Sequence, residues 1–254
     1  MERLRSGFPG VWNIVRFNWH FYAIACGLLL LVALVYPHLP ASLQLYAGIG
    51  CALGGGALLI SLLVSGYIYD YSDLYQLNWL DALQTDQCMD IVNIHAGFDE
   101  TSGLLQHKFP HATLRVLDFY NPEKHTEISI QRARKARPPY PGTIQVDTSD
   151  LPLVAASADM ILLLLAAHEI RNEAERVVFF RHLHRVVKPS GRIVVTEHLR
   201  DTPNFLAYTI GFLHFHSKKT WLQTFRLSGL SLENEIKITP FISTFILKKH
   251  GDAS

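Results

Sequence analysis

Apolar and polar positions along this 254-residue chain divide it into two unlike parts. Between Phe17 and Tyr69 there is no Asp, Glu, Lys or Arg. An ionised side chain at the centre of a bilayer costs at least ~2.5 to 3.5 kcal/mol, so a charge-free stretch of this length is what membrane crossing requires. Pro37-His-Leu-Pro40 splits the stretch. The first half, 17–36, centres on Leu28-Leu-Leu-Leu-Val-Ala-Leu-Val35, and about 20 residues rising ~1.5 Å each cross ~30 Å of hydrocarbon. The second, 42–69, is longer and can tilt. Trp19, Tyr22, Tyr36, Tyr46, Tyr67 and Tyr69 fall near the ends, as an aromatic belt places them. The pattern predicts a two-helix membrane hairpin. Two buried helices of a soluble protein are the alternative, against which the missing charges speak. A signal peptide fits worse, because a second span follows at once.

Beyond the hairpin, Asp70-Tyr-Ser-Asp-Leu-Tyr-Gln-Leu-Asn-Trp-Leu80 is amphipathic and aromatic, and predicts an interfacial or linking helix within 70–87. Strand and helix patterns then alternate. Strands are predicted at 89–94, 113–118, 143–146, 160–165, 192–197, 230–238 and 243–248, and helices at 100–107, 126–136, 172–187 and 218–228. Such alternation predicts an α/β fold: a doubly wound, seven-stranded, mostly parallel, Rossmann-like sheet with ligands beyond the carboxyl ends of its strands. The final strand pair, around Thr239-Pro240, predicts an antiparallel hairpin. The divisions are then a basic flank at 1–16, two transmembrane helices at 17–69, the linking helix at 70–87, the globular domain at 88–249 and a tail at 250–254.

Charge refines this picture. Arg3, Arg5 and Arg16 precede the first span, whereas the 37–40 loop has no Lys or Arg, so the globular domain is expected to face the cytoplasm. The net charge of +1 gives no reason to expect nucleic-acid binding. Arg132, Arg134, Lys135 and Arg137 read as a solvated helix end or as a patch for lipid headgroups. Cys26, Cys51 and Cys88 lack metal-ligand spacing and suggest no disulfide framework. Gly50 and Gly54 form a G-x-x-x-G pair, suited to packing inside the hairpin or to a homodimer.

The richest stretch for chemistry reads Thr143-Ile-Gln-Val-Asp147-Thr-Ser-Asp150-Leu-Pro152, then Ser157-Ala-Asp159-Met-Ile, then Lys188-Pro-Ser-Gly191 before another strand. With Asp118 ending the second strand, this order resembles a class I S-adenosylmethionine (SAM) dependent methyltransferase of the small-molecule or quinone-modifying kind, over about 88–249. The resemblance implies SAM as cofactor, with Asp118 on the ribose hydroxyls, because a carboxylate accepts from both. It implies Asp147 and Thr148 beside the adenine. It places the first-strand turn, Asn93-Ile-His95-Ala-Gly97-Phe-Asp99, at the carboxypropyl arm. There the family pattern wants an acid and glycines; this chain has Asn93, His95 and Asp99, and keeps Gly97.

Methyl transfer is mostly positioning, with a base only where the acceptor must lose a proton. Ala167-His168-Glu169 and Thr196-Glu197-His198 end the fourth and fifth strands, so His168, Glu197 and His198 are the catalytic candidates, His168 first. The apolar, aromatic segment 204–216 falls where the family builds a substrate lid. Tyr208 and His214 are its polar handles, and its character suits a small lipophilic acceptor, phenolic or quinone-like. The reading is a membrane-anchored SAM-dependent transferase with no metal. Two alternatives stay open: a non-catalytic domain on the same fold, and a metal-assisted enzyme drawing on His95, Asp99, His125, His168, Glu169, Glu197, His198, His214 and His216.

Overall fold

The computed structural model describes residues 9–83, 89–126 and 128–250. Seven strands form one sheet: β1 Asp90–His95, β2 Thr113–Asp118, β3 Ile144–Gln145, β4 Ala158–Leu164, β5 Val187–His198, β6 Leu230–Thr239 and β7 Ile242–Lys249. Their order is β3-β2-β1-β4-β5-β7-β6. The first five are parallel, and β7 runs antiparallel between β5 and β6. The doubly wound sheet and its closing antiparallel pair are as the sequence predicts. β3 shrinks to two residues, and Cys88 lies outside the described residues.

Central strands read as continuous apolar runs because both faces are covered. Alternation along β1 sends Val92 and Ile94 into one core with Phe179, Phe180 and Leu183 of α5 (Glu173–Val186) and Trp221 and Phe225 of α7 (Lys218–Leu227). Ile91 points the other way, packing with Leu105 of α3 (Ser102–Lys108) and with Leu77 and Leu80. Helix starts follow local chemistry: Asn172 caps α5 by accepting from Glu175 N, and Ser217 caps α7 by accepting from Thr220 N. α4 (Ile128–Ala136) follows β2. Gly191 is needed where β5 passes β4, because a Cβ there would sit 2.8 Å from the Asp159 carbonyl oxygen.

Two long apolar helices precede the sheet, α1 (Pro9–Val35) and α2 (Ala41–Gly66). Both are long and apolar enough to cross a membrane, and their apolar windows are not buried by the rest of the chain. Gly54 faces Leu29 of α1, and Gly50 lines the groove between the two helices. α1 begins well before residue 17 and is kinked at Asn18 (φ −113°, ψ 18°). Its first turns dock on the domain: Asp70 accepts from Gly10 N at 2.7 Å and Val11 N at 2.9 Å, and Phe17 is buried.

The linking helix predicted within 70–87 is a correction. α2 runs on into a π-turn, Tyr67–Tyr71, then an irregular stretch with Leu77 at φ 58°, then a 3-10 turn, Asn78–Leu83; 84–88 lie outside the described residues. The aromatic spacing reflects packing, since Ile68, Leu74, Tyr69 and Tyr75 form a small core at the foot of the hairpin with Leu164, Leu165 and Tyr208. An unforeseen helix, α6 (Thr202–Tyr208), and a 3-10 turn (Thr209–His214) occupy the segment read as a lid.

Candidate active site

The carboxyl ends of β1 and β4 open into a cavity of about 250 Å³. Its wall includes His95, Ala96, Phe98, Leu164 and Glu169, and its roof is α1, through Gly10, Asn13, Ile14 and Phe17. Glu100 ties roof to floor, accepting from Tyr75 Oη at 2.8 Å and Asn13 Nδ2 at 3.4 Å.

The turn after β1 is built by its unusual residues. Asn93 Nδ2 donates to Thr101 Oγ1 at 2.9 Å and Ser102 Oγ at 2.8 Å, and Asp99 Oδ1 accepts from Thr101 N and Ser102 N, each at 2.9 Å. Asn93 and Asp99 thus fix the start of α3. His95 is buried, and burial lowers its pKa. Its Nδ1 accepts from Gly97 N at 3.1 Å, so Nε2 carries the hydrogen. Among the described residues that Nε2 has no hydrogen-bond partner. Gly97 holds φ +90°, and a Cβ there would come within 2.8 Å of Arg134 Nη1.

Arg134 is the residue sequence reasoning missed. From α4 it crosses Gly97, meets Asp118 Oδ2 through Nη1 at 2.5 Å, and lies over the Tyr120 ring at 4.4 Å. Asp118, at the tip of β2, is buried and also accepts from Tyr120 N at 2.9 Å. Two more members of the basic cluster are engaged as well, while Lys135 is exposed. Arg132 donates to the Phe17 carbonyl at 2.7 Å and meets His20, and Arg137 donates to the Asp99 carbonyl. Arg132 and Arg134 thus point inward, whereas Arg137, like Lys135, is exposed.

Asp147 stands exposed, its Oδ1 taken by Ser149 N and Oγ, which lowers its pKa. Thr148 is buried and turned toward α5, donating to Glu175. Asp118 and Asp147 share a sheet edge, but neither lines the cavity. Asp159 serves at the opposite end of β4, where it accepts from Asp90 N and Lys188.

The second strand-end cluster lies beside the cavity. His168 Nδ1 meets Glu197 Oε2 at 2.6 Å, and its Nε2 meets Glu169 Oε1 at 3.1 Å. Burial would strip the ring of its proton, but the charge of Glu197 and the bonds to Glu169 and Glu197 outweigh that and raise its pKa to about 10. Held between two carboxylates, the His168 ring favours its charged form. Burial pushes Glu169 up, yet His168 and His214 together hold it well below the carboxylate range. His214 Nε2 lies 3.5 Å from Glu169 Oε1.

His198 has a different task. Asn204 Nδ2 donates to Asp201 and to the Phe241 carbonyl, so Asn204 Oδ1 accepts from His198 Nδ1 at 2.9 Å. The other nitrogen, Nε2, pairs with the Tyr69 hydroxyl at 2.8 Å. Burial pushes its pKa down to about 4, and the neutral ring ties the hairpin foot to β5. Tyr208 lies edge-on to His198 at 5.5 Å, and burial pushes its phenol up to about 12.

Comparison with known proteins bears on the fold. The family described as a methyltransferase domain matches residues 102–195. A SAM-dependent methyltransferase of Leishmania major is similar in fold at 18% identity, with 76% of this chain and 82% of that one covered and a TM-score of 0.50. A Pyrococcus horikoshii protein is similar at 15% identity, covering 72% and 97%, with a TM-score of 0.51. Among curated proteins nothing matches. The chain thus carries, over residues 102–195, a match to the methyltransferase domain family, on a seven-stranded sheet with the fold of the solved structures it is similar to.

Proposed function

We propose that this chain is a membrane-anchored methyltransferase that binds SAM and methylates a small lipophilic acceptor, phenolic or quinone-like, with its domain on the cytoplasmic side. The observation that carries the reading is the roof of the cavity: the helix that covers it is the same helix that runs into the first apolar span. An acceptor dissolved in lipid would meet the site where hairpin and sheet join.

Two features bear on whether the residues present fit SAM. Gly97 leaves the strip beside Asp118 open down to the backbone, and what covers that strip is the side chain of Arg134, about a third of which (35%) is exposed. Among the described residues His95 Nε2 is a buried donor without an acceptor, a state costing about 1 to 3 kcal/mol, which an oxygen of a bound ligand would relieve. The residues fit once Arg134 withdraws. Asp118 would hold the ribose hydroxyls, His95 and Gly97 the amino-acid end, and Asp147 the base. When bound, SAM supplies an electrophilic methyl carbon. The chain's own part is to place the acceptor and exclude water under the α1 roof, while His168 holds a proton at Nε2 facing the Glu169 carboxylate.

Calorimetry on the full chain in detergent is expected to show SAM and its demethylated product binding, and labelled SAM with a lipid extract is expected to yield an organic-soluble labelled product. No binding at millimolar SAM would overturn the cofactor assignment; label appearing only in water-soluble material would overturn the acceptor class.

A further inference from the structure

We propose that His168, Glu169 and His214 form a binding site for a first-row divalent metal ion at the edge of the cavity, with Glu197 as the carboxylate that orients His168. Two imidazoles and one carboxylate are a ligand set that leaves positions open for a substrate oxygen. The three side chains offer ligand atoms that all lie within 4.8 Å of one another.

Nitrogen and oxygen ligands sit about 2.0 to 2.2 Å from such an ion, so their own separations come to about 3 to 3.5 Å. The structure holds two of the three at that spacing: Glu169 Oε1 is 3.1 Å from His168 Nε2 and 3.5 Å from His214 Nε2. The ring of His168 is fixed from behind. Glu197 is fully buried, meets Nδ1 at 2.6 Å through Oε2, and accepts from the His168 backbone N–H at 3.1 Å through Oε1. A carboxylate behind a histidine whose other nitrogen faces a second ligand is the arrangement that sets the tautomer and aim of metal-binding imidazoles. His214 rides on the 3-10 turn Thr209–His214, half-buried, its ring edge-on to His168 at 5.1 Å, so a small movement of that turn closes the set.

Arg171, an exposed residue, holds the His214 ring in place, its guanidinium contacting the His214 carbonyl, Nδ1 at 2.5 Å and Nε2 at 2.8 Å, and a metal ion on Nε2 would require it to turn into solvent. Glu169 also lines the cavity, so the open positions of the ion adjoin it. There a Lewis acid would hold an oxygen of the methyl acceptor, and that clause alone rests on the methyltransferase reading.

The test uses full-length protein in detergent, stripped with a chelator and titrated with Co(II) and, by calorimetry, with Zn(II). One tight equivalent with a Co(II) visible band is expected. His214→Ala and Glu169→Gln are expected to abolish the band, and Glu197→Gln to weaken binding roughly 10- to 100-fold with the stoichiometry unchanged. Circular dichroism and SAM calorimetry on the same samples establish folding; if Glu169→Gln fails to fold, His214→Ala, on a surface turn, decides. No equivalent bound at millimolar metal, or equal binding by wild type and His214→Ala, would overturn the site. Metal failure with SAM still bound refutes this proposal alone; metal bound without SAM refutes the other.

Discussion

Arg134 and His198 carry the strongest predictions at the scale of single residues. Arg134 stands on the carboxylate proposed to take the ribose, so any nucleoside must first displace it. An ion pair that is partly exposed on one side is worth about 0.5 to 1 kcal/mol, so Arg134→Ala is expected to tighten SAM roughly two- to fivefold in calorimetry. Asp118→Ala is expected to weaken it by about 1 to 3 kcal/mol. Opposite signs separate this picture from one in which both residues only stiffen the turn. His198 gives a pH dependence. Its folded pKa, about 4, lies below the unfolded value of 6.5, so below that value the unfolded chain binds the extra proton. The His198 contribution to stability is complete above pH 6.5 and is lost as pH drops toward 4, by an amount on the order of 3 kcal/mol. Denaturant titrations at several pH values are expected to show a shallower loss for His198→Gln, while His216, pushed down to about 3 by burial and Arg176, titrates in the same sense in both proteins.

At the scale of elements, the first turns of α1 are fitted against the hairpin foot through Gly10. A Cβ there would collide with Tyr69 and come within 2.8 Å of Asp70 Oδ1. Gly10→Ala is expected to destabilise the fold by about 1 to 3 kcal/mol, the usual cost of forcing atoms into a packed contact. Gly103→Ala, where nothing would meet the new methyl, serves as the control in the same melting experiment. Gly10 also marks a limit of legibility. Strands β1, β2, β4 and β5 could be read because buried strands show as apolar runs, and the hairpin because it lacks charge. The docking of Gly10 on Asp70 joins residues 60 apart, and no local pattern reports it. The stretch after Asp70 looked helical because its aromatic residues face a core supplied by the hairpin and β4. α6 carries a local start signature. Asp201 accepts from Asn204 N and a proline opens the first turn, a start signature overshadowed by the apolar run behind it. In the site, Asp118 was legible from its place at a strand end, whereas Arg134 had no mark beyond belonging to a basic cluster.

Considered whole, the molecule exposes apolar side chains along the hairpin and on α6 beside it. Leu28, Leu31, Leu34, Leu45, Leu53 and Leu63 are exposed along the hairpin, and Phe205, Leu206, Ile210 and Leu213 extend that surface from α6 and the turn after it. An apolar area of this extent in water would drive association, and a bilayer would cover it. Cys26 and Cys51 sit within the two long helices as free thiols. In a Cys88→Ser background, protein in liposomes is expected to resist a sulfonated maleimide at both positions and to react fully once dissolved in denaturing detergent. Rapid labelling of both in liposomes would rule out insertion.

The bend at Asn18 makes α1 a lever with two arms: one is the lid of the cavity, the other runs through the charge-free stretch. In a bilayer, a rigid arm would change its tilt as the lipid grew thinner or thicker. Transmitted across the bend, that tilt would raise or lower the lid, making turnover responsive to acyl-chain length with no effector bound.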